Sequence, residues 1–152
     1  MTIYVMKLRA MLRFQIITLS GVKFDEEVYQ IQLPTPGGHI GIFPHHMPLV
    51  SLAVPGVIAI RYKERDSNDD LEYFATDGGV IEILDDTVRI LADEAIHAEE
   101  ISEDSAQKAL EAAELAYQNA KDKVSLDKAQ AMIDRQAVRL NVAKYKRRNR
   151  QR

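Results

Sequence analysis

From Ser102 to its last residue the chain contains neither glycine nor proline, and alanine, glutamate, lysine, glutamine and arginine dominate it. These are strong helix formers, and the two residue types that interrupt a helix are the two that are missing. Before about residue 95 the grammar is the opposite, with short apolar segments separated by Gly, Pro, Asp and Ser. That is the mark of closely spaced strands joined by turns. A chain that switches once from strands to helices does not interleave them into a parallel α/β sheet. It predicts an α+β fold, with an N-terminal antiparallel β-sandwich or barrel followed by a C-terminal antiparallel two-helix hairpin. The 152 residues suffice, because a sandwich closes its own core with roughly 80–100.

The predicted strands are Phe14–Leu19, Val28–Leu33, Gly41–Phe43, Leu49–Val54, Val57–Tyr62, Glu72–Thr76, Val80–Leu84 and Thr87–Leu91. In Val28–Leu33 the apolar Tyr29, Ile31 and Leu33 alternate with Gln30 and Gln32, which is the period of a half-buried strand. Pro34 to Gly38 is expected to stop it, since proline cannot donate to a ladder. Asp85-Asp86 lies between two apolar runs and reads as a hairpin turn.

On the helical side, Ala106, Ala109, Leu110, Ala113, Tyr117, Ala120 and Val124 recur at three- and four-residue steps, forming one stripe. Ser102 or Asp104 is placed to cap the first helix, and Ser125 the second. Leu126, Ala129, Ile133, Ala137 and Leu140 form the second stripe, with Met132 and Gln136 beside it. So short a link folds the helices back antiparallel. Alanine stripes bury little area at ~25 cal/mol per Å², which predicts a marginally stable hairpin able to detach or extend; a permanently docked hairpin is the alternative reading of the same residues. The expected boundaries are an extension over 1–10, a sandwich over 11–95 and a hairpin with a basic tail over 96–152. Residues 1–10 lack the charge-then-apolar order of a secretory signal, and Met11 serves as a start as well as Met1.

Charge is strongly polarised. Residues 135–152 hold eight basic side chains and no acidic ones, leaving 12 basic against 23 acidic elsewhere, a net −11. The basic end calls for an acidic partner, whether a protein surface, nucleic acid, anionic lipid or the chain's own acidic body. Lys144 to Arg152 has one aromatic, Tyr145, and no motif that reads bases. No segment approaches the ~18–20 apolar residues of a membrane-spanning helix, so a membrane role would come through a partner.

Nothing in the sequence argues for an enzyme. There is no cysteine, no Gly-x-Ser-x-Gly elbow and no phosphate-cradling glycine loop. His39, His45 and His46 cluster near one loop, but no carboxylate adjacent in sequence completes a zinc set; no metal is expected.

The stretch Gly37-Gly-His-Ile-Gly-Ile-Phe-Pro-His-His-Met-Pro-Leu49 resembles a signature of the epsilon subunits of F-type (proton-translocating) ATP synthases, bacterial type. Pro55-Gly-Val-Ile-Ala-Ile60, Ala75-Thr-Asp-Gly-Gly79, Val88-Arg-Ile-Leu-Ala-Asp-Glu-Ala95 and Arg139-Leu-Asn-Val-Ala143 follow in the family's order, over about residues 11–145. The resemblance implies a ten-stranded sandwich and a non-catalytic central-stalk subunit at the cytoplasmic face of the bacterial inner membrane, held there peripherally. It implies contact with the gamma subunit, through His46 among others, and with the ring of c subunits through the loop Thr35, Pro36, Gly37, Gly38, His39 and Ile40. His39 stands where many relatives carry an acidic residue.

It also implies a hairpin that can extend into the alpha/beta catalytic hexamer and restrain ATP hydrolysis, with Arg135 and Arg139 meeting acidic side chains there. Some relatives bind ATP through (Ile/Leu)-Asp-x-x-Arg-Ala. Here the segment is Ile101-Ser-Glu-Asp-Ser-Ala106, with Ser102 in place of the aspartate and Ser105 in place of the arginine; Arg135 and Arg139 remain, so weak or no ATP binding is expected. The alternative function from another class is an independent β-sandwich module with a basic helical tail for nucleic acid or acidic proteins.

Overall fold

A computed structural model describes residues 10–151; the expected extension over 1–10 lies, but for Ala10, outside the described residues. Ten strands form two five-stranded sheets. They are β1 (Leu12–Thr18), β2 (Gly21–Val28), β3 (Gln30–Thr35), β4 (Gly38–Ile42), β5 (Leu49–Ala53), β6 (Gly56–Arg61), β7 (Glu72–Thr76), β8 (Gly79–Leu84), β9 (Thr87–Ala92) and β10 (Ala95–His97). The first sheet has the order β2-β1-β9-β8-β5 and the second β10-β7-β6-β3-β4. All pairings are antiparallel except β1 with β9, two strands far enough apart in sequence to meet in parallel.

The core lies between the sheets. Leu12, Phe14 and Ile16 of β1, Ile81 and Ile83 of β8, and Val88 and Ile90 of β9 face Ile31, Leu33, Ile42, Ile58, Ile60 and Phe74. Each fully buried side chain of this size contributes about 1.5–3 kcal/mol. Phe24 bridges the layers, 5.6 Å from Phe14 and 5.7 Å from Phe74 between ring centroids.

Two of these strands escape a reading by periodicity. In β2 only Phe24 and Val28 are buried, and the rest of Gly21–Val28 is exposed and largely charged. The strand exists because β1 supplies a ladder for it. β10 has three residues and is held on the edge of β7, so the sandwich continues to His97. Pro34 also fails to end β3, which runs on to Thr35. Thr35 pairs with Gly38 across the two-residue turn Pro36-Gly37. In such a hairpin the pair beside the turn is hydrogen-bonded, so the nitrogen of Pro34 points away from β4. On that side the pairing with β6 has already ended at Gln32, and no donor is missed.

Glycine is required at the β7–β8 turn. A Cβ on Gly78 (φ +100°) would lie 2.8 Å from the carbonyl oxygen of Ala53, and one on Gly79 (φ +141°) 2.0 Å from that of Leu91. At the β8–β9 turn both Asp85 (φ 49°) and Asp86 (φ 55°) are left-handed, the geometry of a tight type I′ hairpin.

Helix α1 (Glu103–Asn119) is capped by Ser102, whose hydroxyl accepts the Ser105 N–H at 3.3 Å. Helix α2 (Lys123–Arg150) is capped by Asp122 rather than Ser125. Ser125 is the third helical residue: its N–H reaches the Asp122 carboxylate at 2.8 Å, and its hydroxyl accepts the Asp122 N–H at 3.4 Å. A carboxylate adds favourable charge at the positive end of the helix dipole, which a hydroxyl does not. Of the expected stripes, Ala106, Ala113, Ala129 and Leu140 are buried, whereas Tyr117 and Val124 near the tip are exposed. Eleven residues longer than α1, α2 overhangs it by about 16 Å at 1.5 Å per residue.

Between β1 and β2, Arg13 clasps Asp25 with both forks, Nε to Oδ1 and Nη2 to Oδ2 at 2.9 Å each, and Gln15 adds a bond at 3.1 Å. The Arg13 and Gln15 bonds lower the Asp25 carboxyl to a pKa of about 2. A depressed carboxylate stabilises the fold above its unfolded pKa and loses that effect as pH falls towards 2. Arg13→Gln should therefore move the Asp25 titration, followed by carboxyl NMR, back towards the ordinary range; an unmoved titration would refute the pairing.

Candidate interaction surfaces

The outer face of the first sheet carries an uninterrupted apolar row. Leu52 on β5 lies opposite Val80 on β8, Val80 opposite Leu91 on β9, Leu91 opposite Ile17 on β1, and Ile17 opposite Val22 on β2. Leu52 is 62% exposed, Val80 38%, Leu91 47% and Val22 61%, with Leu19 at 90% in the adjoining turn. The next outward row ends in exposed Val50 on β5 but is polar on the other four strands: Glu82, Arg89, Gln15 and Asp25, with Arg89 donating to Gln15 at 2.8 Å and pairing with Glu82 at 3.7 Å. Scattered exposed apolar residues are ordinary, whereas a continuous row across five strands marks a surface meant to be covered. No sequence reading singled out this row. A signal existed: β5 and β8 are apolar at nearly every position, as strands covered on both faces are.

The loop Thr35, Pro36, Gly37, Gly38, His39 and Ile40 is the β3–β4 turn with its flanks. Pro36, Gly37, Gly38 and His39 are exposed, and Ile40 packs against the core edge. Thr35 Oγ1 donates to the Gly38 carbonyl at 2.5 Å across the turn, and Gly38 has φ +113°. The N–H of Val54 donates to the Pro34 carbonyl at 3.1 Å, which sets the apolar row at the same end of the sandwich as this turn. His46 lies beyond the far end of β4 and is not brought to the loop; its Nδ1 is 2.8 Å from the Met47 carbonyl oxygen. A carboxylate distant in sequence does reach the neighbouring histidine. Asp86 accepts the His45 N–H at 2.5 Å and stands 3.2 Å from its Nδ1. Among the described residues no three His, Cys, Asp or Glu gather as a metal site.

The outer face of the second sheet is closed by the C-terminal half of α2. Val142 is fully buried on Ala75 and Ala98, ringed by Val57, Tyr73, Ile101 and Val138. Tyr145 stacks on Tyr73 at 5.1 Å, and burial pushes the Tyr73 hydroxyl pKa up. Around this contact run ion pairs: Arg135 to Asp77 at 2.9 Å, Arg139 to Glu94 at 2.7 Å, Lys146 to Glu99 at 3.0 Å and Arg147 to Glu103 at 2.9 Å. Burial raises the Asp77 carboxyl, and the Arg135 charge pulls it back only in part. Of the partners open to the basic end, its own acidic body takes these four cations, while Lys144 and Arg148 remain exposed. Ser102 and Ser105 occupy the start of α1 in the capping role, and both are exposed.

Among the described residues no helix is long and apolar enough to cross a membrane. Residues 11–98 match the family model of the ATP synthase Delta/Epsilon chain beta-sandwich domain. The ATP synthase epsilon chain of Herpetosiphon aurantiacus is 37% identical over 140 residues, covering 92% of this chain and 98% of that one. Among solved structures, a chain of the Euglena gracilis mitochondrial ATP synthase (OSCP/F1/c-ring) superposes with a TM-score of 0.73 at 22% identity, covering 84% of this chain and 78% of that one. A chain of the central stalk and c-ring of the Tetrahymena thermophila mitochondrial ATP synthase superposes with a TM-score of 0.57 at 13% identity, covering 87% and 96%. At such identities these two speak for the fold. The family model spans more than half of the residues and the curated relative nearly all of them, so this chain belongs to the delta/epsilon chain family of ATP synthase.

Proposed function

We propose that the chain serves as the epsilon subunit in the central stalk of an F-type ATP synthase, a non-catalytic part that couples proton-driven rotation to ATP synthesis. The observation that carries this reading is the apolar row Leu52–Val80–Leu91–Ile17–Val22. One outer face of the sandwich is already covered by the chain's own helix, and the other is left for a partner. In this reading the gamma subunit covers the row. The β3–β4 turn at the same end, Thr35 to Ile40, rests on the ring of c subunits, and His46 marks the far limit of the gamma contact. These partners hold the chain peripherally at the cytoplasmic face of the bacterial inner membrane. A non-catalytic role agrees with carboxylates that are spent on ion pairs between elements, such as Asp77, Glu94 and Asp25. The hairpin restrains hydrolysis when it leaves the sandwich and enters the alpha/beta hexamer. It holds no ATP, since both motif positions are serines and the arginines left for such a site are engaged by Asp77 and Glu94.

Leu52→Asp combined with Leu91→Asp should leave the sandwich folded, because both sites are exposed, and should abolish co-purification with gamma; retained binding would sink the assignment of this face. Deleting residues 102–152 should raise membrane ATPase hydrolysis and leave coupled synthesis intact, and unchanged hydrolysis would remove the restraining role. Calorimetry with ATP should give no micromolar binding; a clear isotherm in that range would reverse the last inference.

A further inference from the structure

The turns Thr76-Asp-Gly-Gly79 and Ala92-Asp-Glu-Ala95 are stitched together at one end of the sandwich. The Asp77 N–H donates to the Glu94 carbonyl at 3.3 Å, and the Thr76 hydroxyl is within 3.4 Å of the same oxygen. The Gly78 N–H in turn donates to that hydroxyl at 3.2 Å. With glycine enforced at 78 and 79, the backbone positions that carry Asp77 and Glu94 are fixed by bonds within the sandwich, independently of α2. Opposite them stand Arg135 and Arg139, one helical turn apart on α2. Slipping α2 by four residues, the spacing of the two arginines, would bring Ala131 to this place in one direction and Ala143 in the other. One register alone offers two guanidinium groups.

We propose that Asp77 and Glu94 form a preorganised acidic receptor for Arg135 and Arg139, and that occupancy of this receptor decides whether the hairpin lies on the sandwich. The apolar contact, Val142 on Ala75 and Ala98 among Val57, Tyr73, Ile101 and Val138 with Tyr145 stacked on Tyr73, is non-directional and does not by itself select a register. The pairs matter through what their loss leaves behind. Asp77 is the more enclosed partner, with its side chain 16% exposed against 44% for Arg135. Removing the arginine strands a half-desolvated carboxylate, whereas removing both charges does not. Lys146 and Arg147 serve a different purpose: they bind Glu99 and Glu103 at the root and first turn of the hairpin itself, not on the sandwich strands. The receptor operates in the isolated chain, so its test needs no partner and stands or falls apart from the stalk assignment.

The chain has no cysteine, so spin labels can be placed through Glu64→Cys on the sandwich and Lys128→Cys on α2, both exposed sites. Pulsed dipolar spectroscopy should show one narrow distance population, at the long separation set by the two ends of the docked α2, roughly 30 Å at 1.5 Å per residue. Arg135→Gln and Arg139→Gln should each shift the docked-to-released ratio by about two- to fivefold, the size expected of partly exposed ion pairs. Adding Asp77→Asn to Arg135→Gln should restore most of the docked population, and Arg147→Gln should leave it unchanged. Docking that ignores the arginine changes, fails to recover in the double variant, or responds equally to Arg147→Gln would overturn the receptor.

Discussion

The register of β1, β9 and β8 is the constraint on which the rest of the molecule depends. Along a strand the side chains alternate between faces, so placing Phe14, Ile16, Val88, Ile90, Ile81 and Ile83 inward forces Ile17, Leu91 and Val80 outward. The parallel pairing of β1 with β9 and the antiparallel pairing of β9 with β8 then align those outward residues in a single row. A slip of one residue would exchange core and row. The core therefore enforces the apolar outer row, although the row contributes nothing to the core.

The two outer faces are solved differently. On the second sheet, α2 brings Val142 and Tyr145 down onto Ala75, Ala98 and Tyr73, with arginines paired at its edge. Non-directional apolar burial with partly exposed ion pairs at its edge gives a contact whose register the pairs select. On the first sheet nothing from the described chain covers the row, which leaves that face for a second protein. The proposed role, gripped by a shaft on one face and releasing an arm from the other, fits such an unequal pair of faces.

Much of this architecture was legible in the residues. The strand-to-helix switch, the Asp85-Asp86 turn and eight of ten strands follow from periodicity and turn chemistry. β2 was hidden because Lys23, Asp25, Glu26 and Glu27 mask its two inward residues, and β10 because three residues carry no period. Asp122 took the cap expected of Ser125 because both side chains suit it and only charge separates them. Interaction surfaces were the hardest to see. A row across five strands is a property of register, whose one local sign is the nearly continuous apolar run of β5 and of β8, and the meeting of Asp77 and Glu94 with Arg135 and Arg139 spans more than 40 residues of sequence, so local patterns hold no trace of the second.

The account stands most directly on which face of the sandwich a partner covers. Carbene footprinting of the chain, free and assembled with a gamma subunit, reads side-chain exposure residue by residue. The prediction is that labelling of Val22, Leu52, Val80 and Leu91 falls sharply on assembly, while Val57 and Tyr73 beneath α2 keep the low labelling they have in the free chain. Unchanged labelling along the row, with new protection confined to the second sheet, would contradict it.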